Sequence, residues 1–129
     1  MRTIVRFRTS NGDYAISVEQ VAEVRRAIDL TPLPAPRPGV AGVVRRGDDV
    51  LTVLSVLGEG GAHVIVVDAE GLTFGLLVDE VTGVHRVDDS AVGPAPHGQV
   101  AGVVAGAIVE DDGVLLLLDA VALRERLKP

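Results

Sequence analysis

The side chains that could support catalysis or bind a metal ion are scattered along this chain. No two histidines are spaced to hold one metal ion from the same helix turn or strand. The acidic groups flank turn glycines or end strands, where Asp commonly caps backbone N–H groups. Paired carboxylates can transfer protons, but solvated turns are the favoured interpretation. The residues concerned are His63, His85, His97, Asp48, Asp49, Asp88, Asp89, Glu110, Asp111 and Asp112.

The motifs of common enzymes and nucleotide-binding sites are absent. The sequence has no G-x-S-x-G, no Walker-type phosphate loop, no G-x-G-x-x-G and no serine with an evident histidine partner. Because it has no cysteine, it can form neither disulfides nor thiolate metal sites. We therefore expect no catalytic residues, no cofactor and no metal. A small enzyme or ligand-binding β-barrel that uses the acidic tips is the alternative from another functional class.

Charge and hydropathy disfavour several kinds of partner. The net charge of −6 and the pI of about 4.9 disfavour nucleic acid and anionic membrane surfaces. No apolar run reaches the roughly 18 residues that span a bilayer, and Met1–Arg8 lacks the apolar stretch of a signal peptide. We predict a cytoplasmic protein without membrane insertion.

The composition predicts strands. The chain is 47% hydrophobic but only 2% aromatic, so Val, Leu, Ala and Ile must build its core. Abundant Val favours strands, because β-branched side chains suit a pleated surface and lose rotamer freedom in a helix. At 129 residues, the length suits one domain or two tightly joined small ones.

Turn signals every 8–12 residues or so separate about nine or ten short strands, a pattern typical of an all-β barrel or sandwich. The predicted hairpins are Thr3–Arg8 with Tyr14–Ser17, His63–Asp68 with Leu72–Val78, and Ala101–Val109 with Val114–Leu118. Ser17 and Gln20 have capping-box spacing, which predicts a helical turn over 18–22, and 78–81 is expected to turn in the same way. Asp119 is expected to cap a short C-terminal helix.

A stretch of the chain occurs twice. Residues 14–44 and 74–104 are identical at 13 of 31 positions without a gap. The match includes Pro34–Pro36 with Pro94–Pro96 and Val40–Val44 with Val100–Val104. A self-match at a fixed offset indicates a repeated supersecondary unit. We therefore predict one domain over 1–129 made of two small barrels, with repeat units of about 14–57 and 74–118.

Several blocks, in their order and spacing, carry a resemblance to a known family. They are Tyr14–Val18, Val21–Val24, Leu33–Pro36, Val40–Val44, Arg46–Gly47, Gly75–Val81, Val100–Val103 and Val114–Asp119. Together they resemble the CheW-like family of bacterial chemotaxis adaptors over nearly the whole chain. The resemblance implies an all-β fold of two intertwined five-stranded SH3-like barrels with a short C-terminal helix.

The resemblance also implies a non-catalytic function. Such adaptors couple the cytoplasmic tips of chemoreceptors to the regulatory domain of a histidine autokinase. The receptor tip docks in the groove between the barrels, and the kinase contact is barrel to barrel. An adaptor of a non-motility signalling complex, which binds only a kinase or itself, is the alternative within this class.

Partner-binding positions follow from the resemblance. Glu23 resembles the acidic position that faces a partner, and Arg46 matches the arginine of the family's Asn-Leu-Arg-Gly turn. The turn here is one residue shorter and lacks the Asn, and Thr52 and Ser55 replace the proline and aspartate usual in the next strand. The full set of candidate positions is Val21, Glu23, Val24, Gly42, Val43, Arg46, Val81, Val84 and Val87.

Overall fold

The computed structural model describes residues 1–35, 37–58, 60–97 and 102–127. Within these ranges the chain forms eleven strands, four 3-10 turns and one α-helix. The strands are β1 (Arg2–Thr9), β2 (Gly12–Ser17), β3 (Val21–Arg26), β4 (Val40–Arg46), β5 (Asp49–Leu54), β6 (His63–Ala69), β7 (Leu72–Val78), β8 (Glu80–Val87), β9 (Val92–Gly93), β10 (Val104–Glu110) and β11 (Gly113–Leu118). The helix α1 is Ala120–Arg124, and the 3-10 turns are Val18–Gln20, Ala27–Asp29, Asp89–Ala91 and Glu125–Leu127.

The strands form two sheets, and each sheet takes a hairpin from the other half of the chain. The order β3-β6-β7-β5-β4 defines barrel one, and β8-β1-β2-β11-β10-β9 defines barrel two. Barrel one thus holds the central hairpin β6–β7, and barrel two holds the N-terminal hairpin β1–β2. The intertwined all-β fold is confirmed. Its one departure is β9, a two-residue strand that makes the second sheet six-stranded.

Both barrels have the same strand pattern. Parallel pairs join β5 to β7 in barrel one and β11 to β2 in barrel two. All other pairs among the named strands are antiparallel. Tyr14 on β2 and Phe74 on β7 occupy equivalent buried places, as the 60-residue offset predicts.

The predicted 60-residue offset between the two copies is wrong for β4 and β5 and their counterparts, β10 and β11. Val40 pairs with Leu54 across β4–β5, and Val104 pairs with Leu118 across β10–β11. Strand β4 therefore corresponds to β10, which lies 64 residues further on. By strand register, Val81 and Val104 lie four positions further apart in sequence than the equivalent Val21 and Val40. The Val-Ala-Gly that corresponds to Val40–Gly42 is Val104–Gly106.

Apolar side chains form three cores. Strand β6 is apolar on both faces, because Val64 and Val66 line the barrel-one core while Ile65 and Val67 pack between the barrels. The shared core between the barrels contains Val5, Phe7, Tyr14, Ile16, Leu54, Leu57, Ile65, Val67, Ala69, Phe74, Leu76, Val78, Val103, Leu118, Ala120 and Leu123. The barrel-one core contains Val44, Leu51, Val53, Val64, Val66 and Leu77. The barrel-two core contains Ile4, Ala15, Ile108, Leu115 and Leu117.

Turns and caps follow the prediction in part. Asp119 caps α1, since its Oδ1 accepts from the N–H groups of Val121 and Ala122 at 3.0 and 3.2 Å. The predicted capping box at Ser17 is wrong, because Ser17 makes no side-chain cap bond. Residues 78–81 do not form a helical turn, since β8 begins at Glu80, directly after a bend.

Parts of the repeated blocks cannot be compared. Pro36, Gly98, Val100 and Ala101 lie outside the described residues. None of the helices in the described ranges is long and apolar enough to cross a membrane.

Candidate partner-binding site

The candidate site begins on β3, an edge strand of barrel one whose single neighbour among the described strands is β6. In the register of this pair, Glu23 lies opposite Val66 and Arg25 lies opposite Val64. Since directly opposed side chains share one face of a sheet, Glu23 and Arg25 cover the mouth of the barrel-one core. Val24 lies opposite Ile65 and so points to the other face.

An ion pair links β3 to β4, the two edges of the barrel-one sheet. The Nε of Arg46 lies 3.5 Å from Oε1 of Glu23. The two side chains are 40% and 42% exposed, so the pair lies open to solvent. Surface pairs of this kind add at most about 1 kcal/mol to stability. Both charges are thus accessible to a partner at little cost to the fold.

Arg25 holds the same corner together, and the sequence analysis missed it. Its Nη1 donates to the carbonyl oxygen of Arg45 at 2.7 Å and lies 3.8 Å from Oε1 of Glu23. Its Nη2 donates to Asp29 at 3.1 Å. The i,i+4 spacing of Arg25 and Asp29 was a local signal, although the contact with Arg45 depends on the fold.

The apolar candidates on β3 differ in exposure. Val21 is half-buried and packs against the shared core. Val24 is exposed. It lies on the same face as Val21, because a bulge between Val21 and Glu23 adds one residue to the strand. Together they extend the shared core outward along the edge of β3.

Gly42 supports the fold directly. Thr31 and Val43 exchange two backbone hydrogen bonds of 2.9 Å beside it. A Cβ at Gly42 would overlap the carbonyl oxygen of Thr31. Gly106, its counterpart in barrel two, would place a Cβ 2.7 Å from the carbonyl oxygen of Gly93. Both glycines therefore allow a neighbouring segment to approach the strand closely. Of the two adjacent candidates on β4, Gly42 and Val43, Val43 is the one whose side chain could contact a partner.

The candidates on β8 do not share one face. Val81 packs against the shared core, and Val84, opposite Val5, lies exposed on the same face. Val87 packs instead against the barrel-two core. Val81 and Val84 repeat the arrangement of Val21 and Val24, one half-buried and one exposed. The structure thus sets an apolar pair on each edge strand, β3 and β8, beside the shared core.

Barrel two has its own ion pair, in which the acidic residue lies on β10 and the basic residue lies on β1. Arg6 donates from both terminal nitrogens to Glu110, at 2.9 and 2.7 Å. Glu110 occupies the place of Arg46, and Gly83 occupies that of Glu23. The pairing joins residues 104 apart in sequence, so no local pattern could have predicted it.

Charge at the start of barrel two is also paired. Arg2 and the N-terminal ammonium both contact Asp89, and their hydrogen bonds lower the pKa of its carboxyl group. Elsewhere in the described ranges, no three acidic or histidine side chains converge as metal ligands. The site is therefore a surface of exposed charge and apolar edge residues, suited to protein contacts.

Comparison with known proteins agrees with this interpretation. The family model for the CheW-like domain matches residues 3–128. The chain belongs to the CheW-like domain family. This family comprises scaffold and adaptor proteins of chemotaxis, which supports a non-catalytic role.

A solved structure has the same fold. The scaffolding protein TtCheW from Thermoanaerobacter tengcongensis superimposes with a TM-score of 0.80 and 22% identity. The match covers 92% of this chain and 88% of that chain. No curated protein matches the chain.

Proposed function

We propose that this CheW-like protein is a non-catalytic scaffold that couples chemoreceptors to a histidine autokinase in bacterial chemotaxis. The observation that carries the proposal is the corner of barrel one. There the exposed Glu23–Arg46 pair lies on one face of the edge strand β3, and the exposed apolar Val24 lies on its other face. Exposed charge next to apolar surface suits a specific protein contact, because charge gives orientation and apolar burial gives affinity.

The kinase contact is assigned to the exposed edge of β3, which presents Val21 and Val24 on one face and Glu23 on the other. A regulatory domain with a homologous barrel would meet this edge with a basic side chain opposite Glu23. Docking would replace the 3.5 Å contact between Arg46 and Glu23 by a contact with the partner. The exchange costs little, since the existing pair is weak.

The receptor contact is assigned to the groove beside the shared core. Val43 supplies its barrel-one side, with Arg46 at the adjoining β4–β5 turn, and Val81 and Val84 supply its barrel-two side. A helical hairpin tip docks in such a groove through apolar anchors spaced along its face. Gly42 and Val87 support these walls from within, since Gly42 lets Thr31 approach β4 and Val87 packs against the barrel-two core.

The β4–β5 turn favours a second candidate function. Arg46 and Asp49 pair directly across a two-residue turn, Gly47–Asp48. This tight turn holds Arg46 against Glu23 instead of projecting it into the groove. An adaptor that binds only a kinase, outside motility, is consistent with that arrangement.

Charge reversal tests the proposal. We expect Glu23→Arg to weaken binding of the autokinase regulatory domain by about tenfold or more, because it places like charges together at the interface. We expect Arg46→Glu to weaken cosedimentation with receptor cytoplasmic fragments by a similar factor. Binding is measured by titration calorimetry, and coupling is measured as kinase activity in the ternary mixture.

The matched control is Glu70→Arg, which breaks another exposed ion pair, with Arg124 at 3.7 Å. It should leave both affinities unchanged. Kinase binding without receptor binding in the unsubstituted protein would select the second candidate function. Wild-type affinity in both charge-reversal variants would refute the assigned faces, and absence of any ternary complex would refute coupling.

A further inference from the structure

The outer face of hairpin β10–β11 is apolar and uncovered. Two cross-strand pairs form it, Ala107 with Leu116 and Val109 with Val114. These side chains point away from the barrel-two core, which the intervening residues fill. Val109 is 81% exposed and Val114 is 49% exposed. Burial of exposed apolar side chains against another surface is favourable, so a contiguous apolar face of this kind marks a candidate binding surface.

Walls on two sides make this face a groove. Asn11 of the β1–β2 turn and the start of β2, Gly12 and Asp13, line one side, and Pro94 and Pro96 line the other. The groove encloses about 490 Å³, which lies within the range of binding clefts in proteins. Its floor reaches the shared core through Leu116, which packs partly against that core. The floor is therefore supported by rigid structure.

The charge around the groove is acidic. Asp13 lies in one wall, and Asp111 and Asp112 form the turn at the end of the floor. No ion pair involves any of these three carboxylates in the described part of the chain. The nearby cations are already engaged, since Arg6 pairs with Glu110 at 2.7 Å and Arg8 with Glu80 at 2.9 Å.

Barrel one shows that the fold does not require this apolar face. At the equivalent places, 64 residues earlier, it carries Val43, Arg45, Val50 and Thr52. Their cross-strand pairs are Val43 with Thr52 and Arg45 with Val50. One copy of the unit thus has Arg and Thr where the other has Val109 and Leu116. The apolar floor is a property of barrel two alone.

We propose that this groove docks a segment of a partner protein that carries an apolar anchor beside lysine or arginine. The apolar floor selects the anchor, and the unpaired carboxylates select its cationic neighbours. The site lies on the outer face of barrel two, so it is separate from the Glu23–Arg46 corner. It does not depend on the proposed coupling of receptor and kinase.

A pair of synthetic peptides tests the charge requirement. One is a short blocked peptide in which leucine and lysine alternate, and the other has glutamate in place of lysine. Both are titrated into the full-length protein, and amide and methyl NMR shifts are followed. We expect the lysine peptide to shift Ala107, Val109, Val114 and Leu116, and the glutamate peptide to bind at least about tenfold more weakly.

Two variants test the floor and the rim separately. Val109→Arg introduces the residue type found at the equivalent position of barrel one, Arg45, so the strand should tolerate the change. Asp111→Lys combined with Asp112→Lys reverses the rim and leaves the floor intact. Each should weaken the lysine peptide about tenfold or more. Val50→Thr, an exposed valine at the place of Val114 in barrel one, is the matched control and should leave binding unchanged.

Other results would overturn the proposal. They are equal binding of the two peptides, shifts centred outside the groove, or full affinity in both the Val109 variant and the double Asp variant. Sedimentation of the protein alone tests whether a second copy of the chain occupies the groove instead. A dimer that Val109→Arg dissociates would show that a second copy covers this face, and the partner segment would then be wrong.

Discussion

At the level of single residues, Arg6 and Glu110 form the ion pair with the strongest geometry in the described ranges. Two hydrogen bonds join them, and the side chains are only 25% and 31% exposed. Bidentate pairs with little solvent are roughly twice as strong as neutral hydrogen bonds. The pair ties β1, from the first half of the chain, to β10, from the second.

We predict that Glu110→Gln lowers the free energy of unfolding by about 1–3 kcal/mol, since hydrogen bonds to charged groups contribute about that much. Urea denaturation followed by circular dichroism measures it. The control is Glu80→Gln, which removes an exposed partner of Arg8 and should cost less than about 0.5 kcal/mol. Equal losses in the two variants would contradict the role of burial.

At the level of elements, α1 is short and depends on its cap. Its five residues are too few to form a stable helix alone. Asp119 satisfies two of its free N–H groups, and Ala120 and Leu123 are buried in the shared core. The cap and the packing thus supply the stability that length cannot.

We predict that Asp119→Ala lowers the free energy of unfolding by about 0.5–2 kcal/mol, the usual cost of a lost N-cap. Asp119→Asn keeps an acceptor oxygen and should retain most of the stability. Hydrogen exchange at the amides of Val121 and Ala122 locates the effect, because those amides lose their acceptor. An Asn variant as unstable as the Ala variant would argue against capping.

At the level of the whole molecule, the shared core is expected to make the two barrels unfold as one cooperative unit. It receives side chains from both sheets and from the C-terminal helix. The exchanged hairpins add to this, since neither barrel is complete without strands from the other half. Separate unfolding of the barrels would expose the shared core, so a single transition is expected.

We predict that Leu76→Ala, in the shared core, lowers the free energy of unfolding by about 2–5 kcal/mol through lost burial and a cavity. Tyr14 fluorescence and far-ultraviolet circular dichroism should report one common midpoint. Leu72→Ala, the same change at an exposed site on the same strand, should cost under about 1 kcal/mol. Two separate transitions in either variant would show that the barrels are independent.

The sequence by itself determined the local features and the class of fold. Turn chemistry predicted the hairpins, and Asp119 predicted the helix start, because both depend on hydrogen bonds between near neighbours. The Tyr14–Phe74 match predicted equivalent core positions, since two copies of one unit bury the same places. The family resemblance added the intertwined barrels and named the candidate partner residues.

Only the tertiary structure decided which distant parts meet. The exchange of hairpins, the Arg6–Glu110 pair and the orientation of Val87 all depend on strand pairing across the chain. Local patterns do not encode such pairing, and the longer spacing in the second copy concealed the match of β4 to β10. The docking groove on barrel two likewise depends on how distant strands are assembled. Its exposed valines are indistinguishable in sequence from core valines, because exposure is decided only when the strands are assembled.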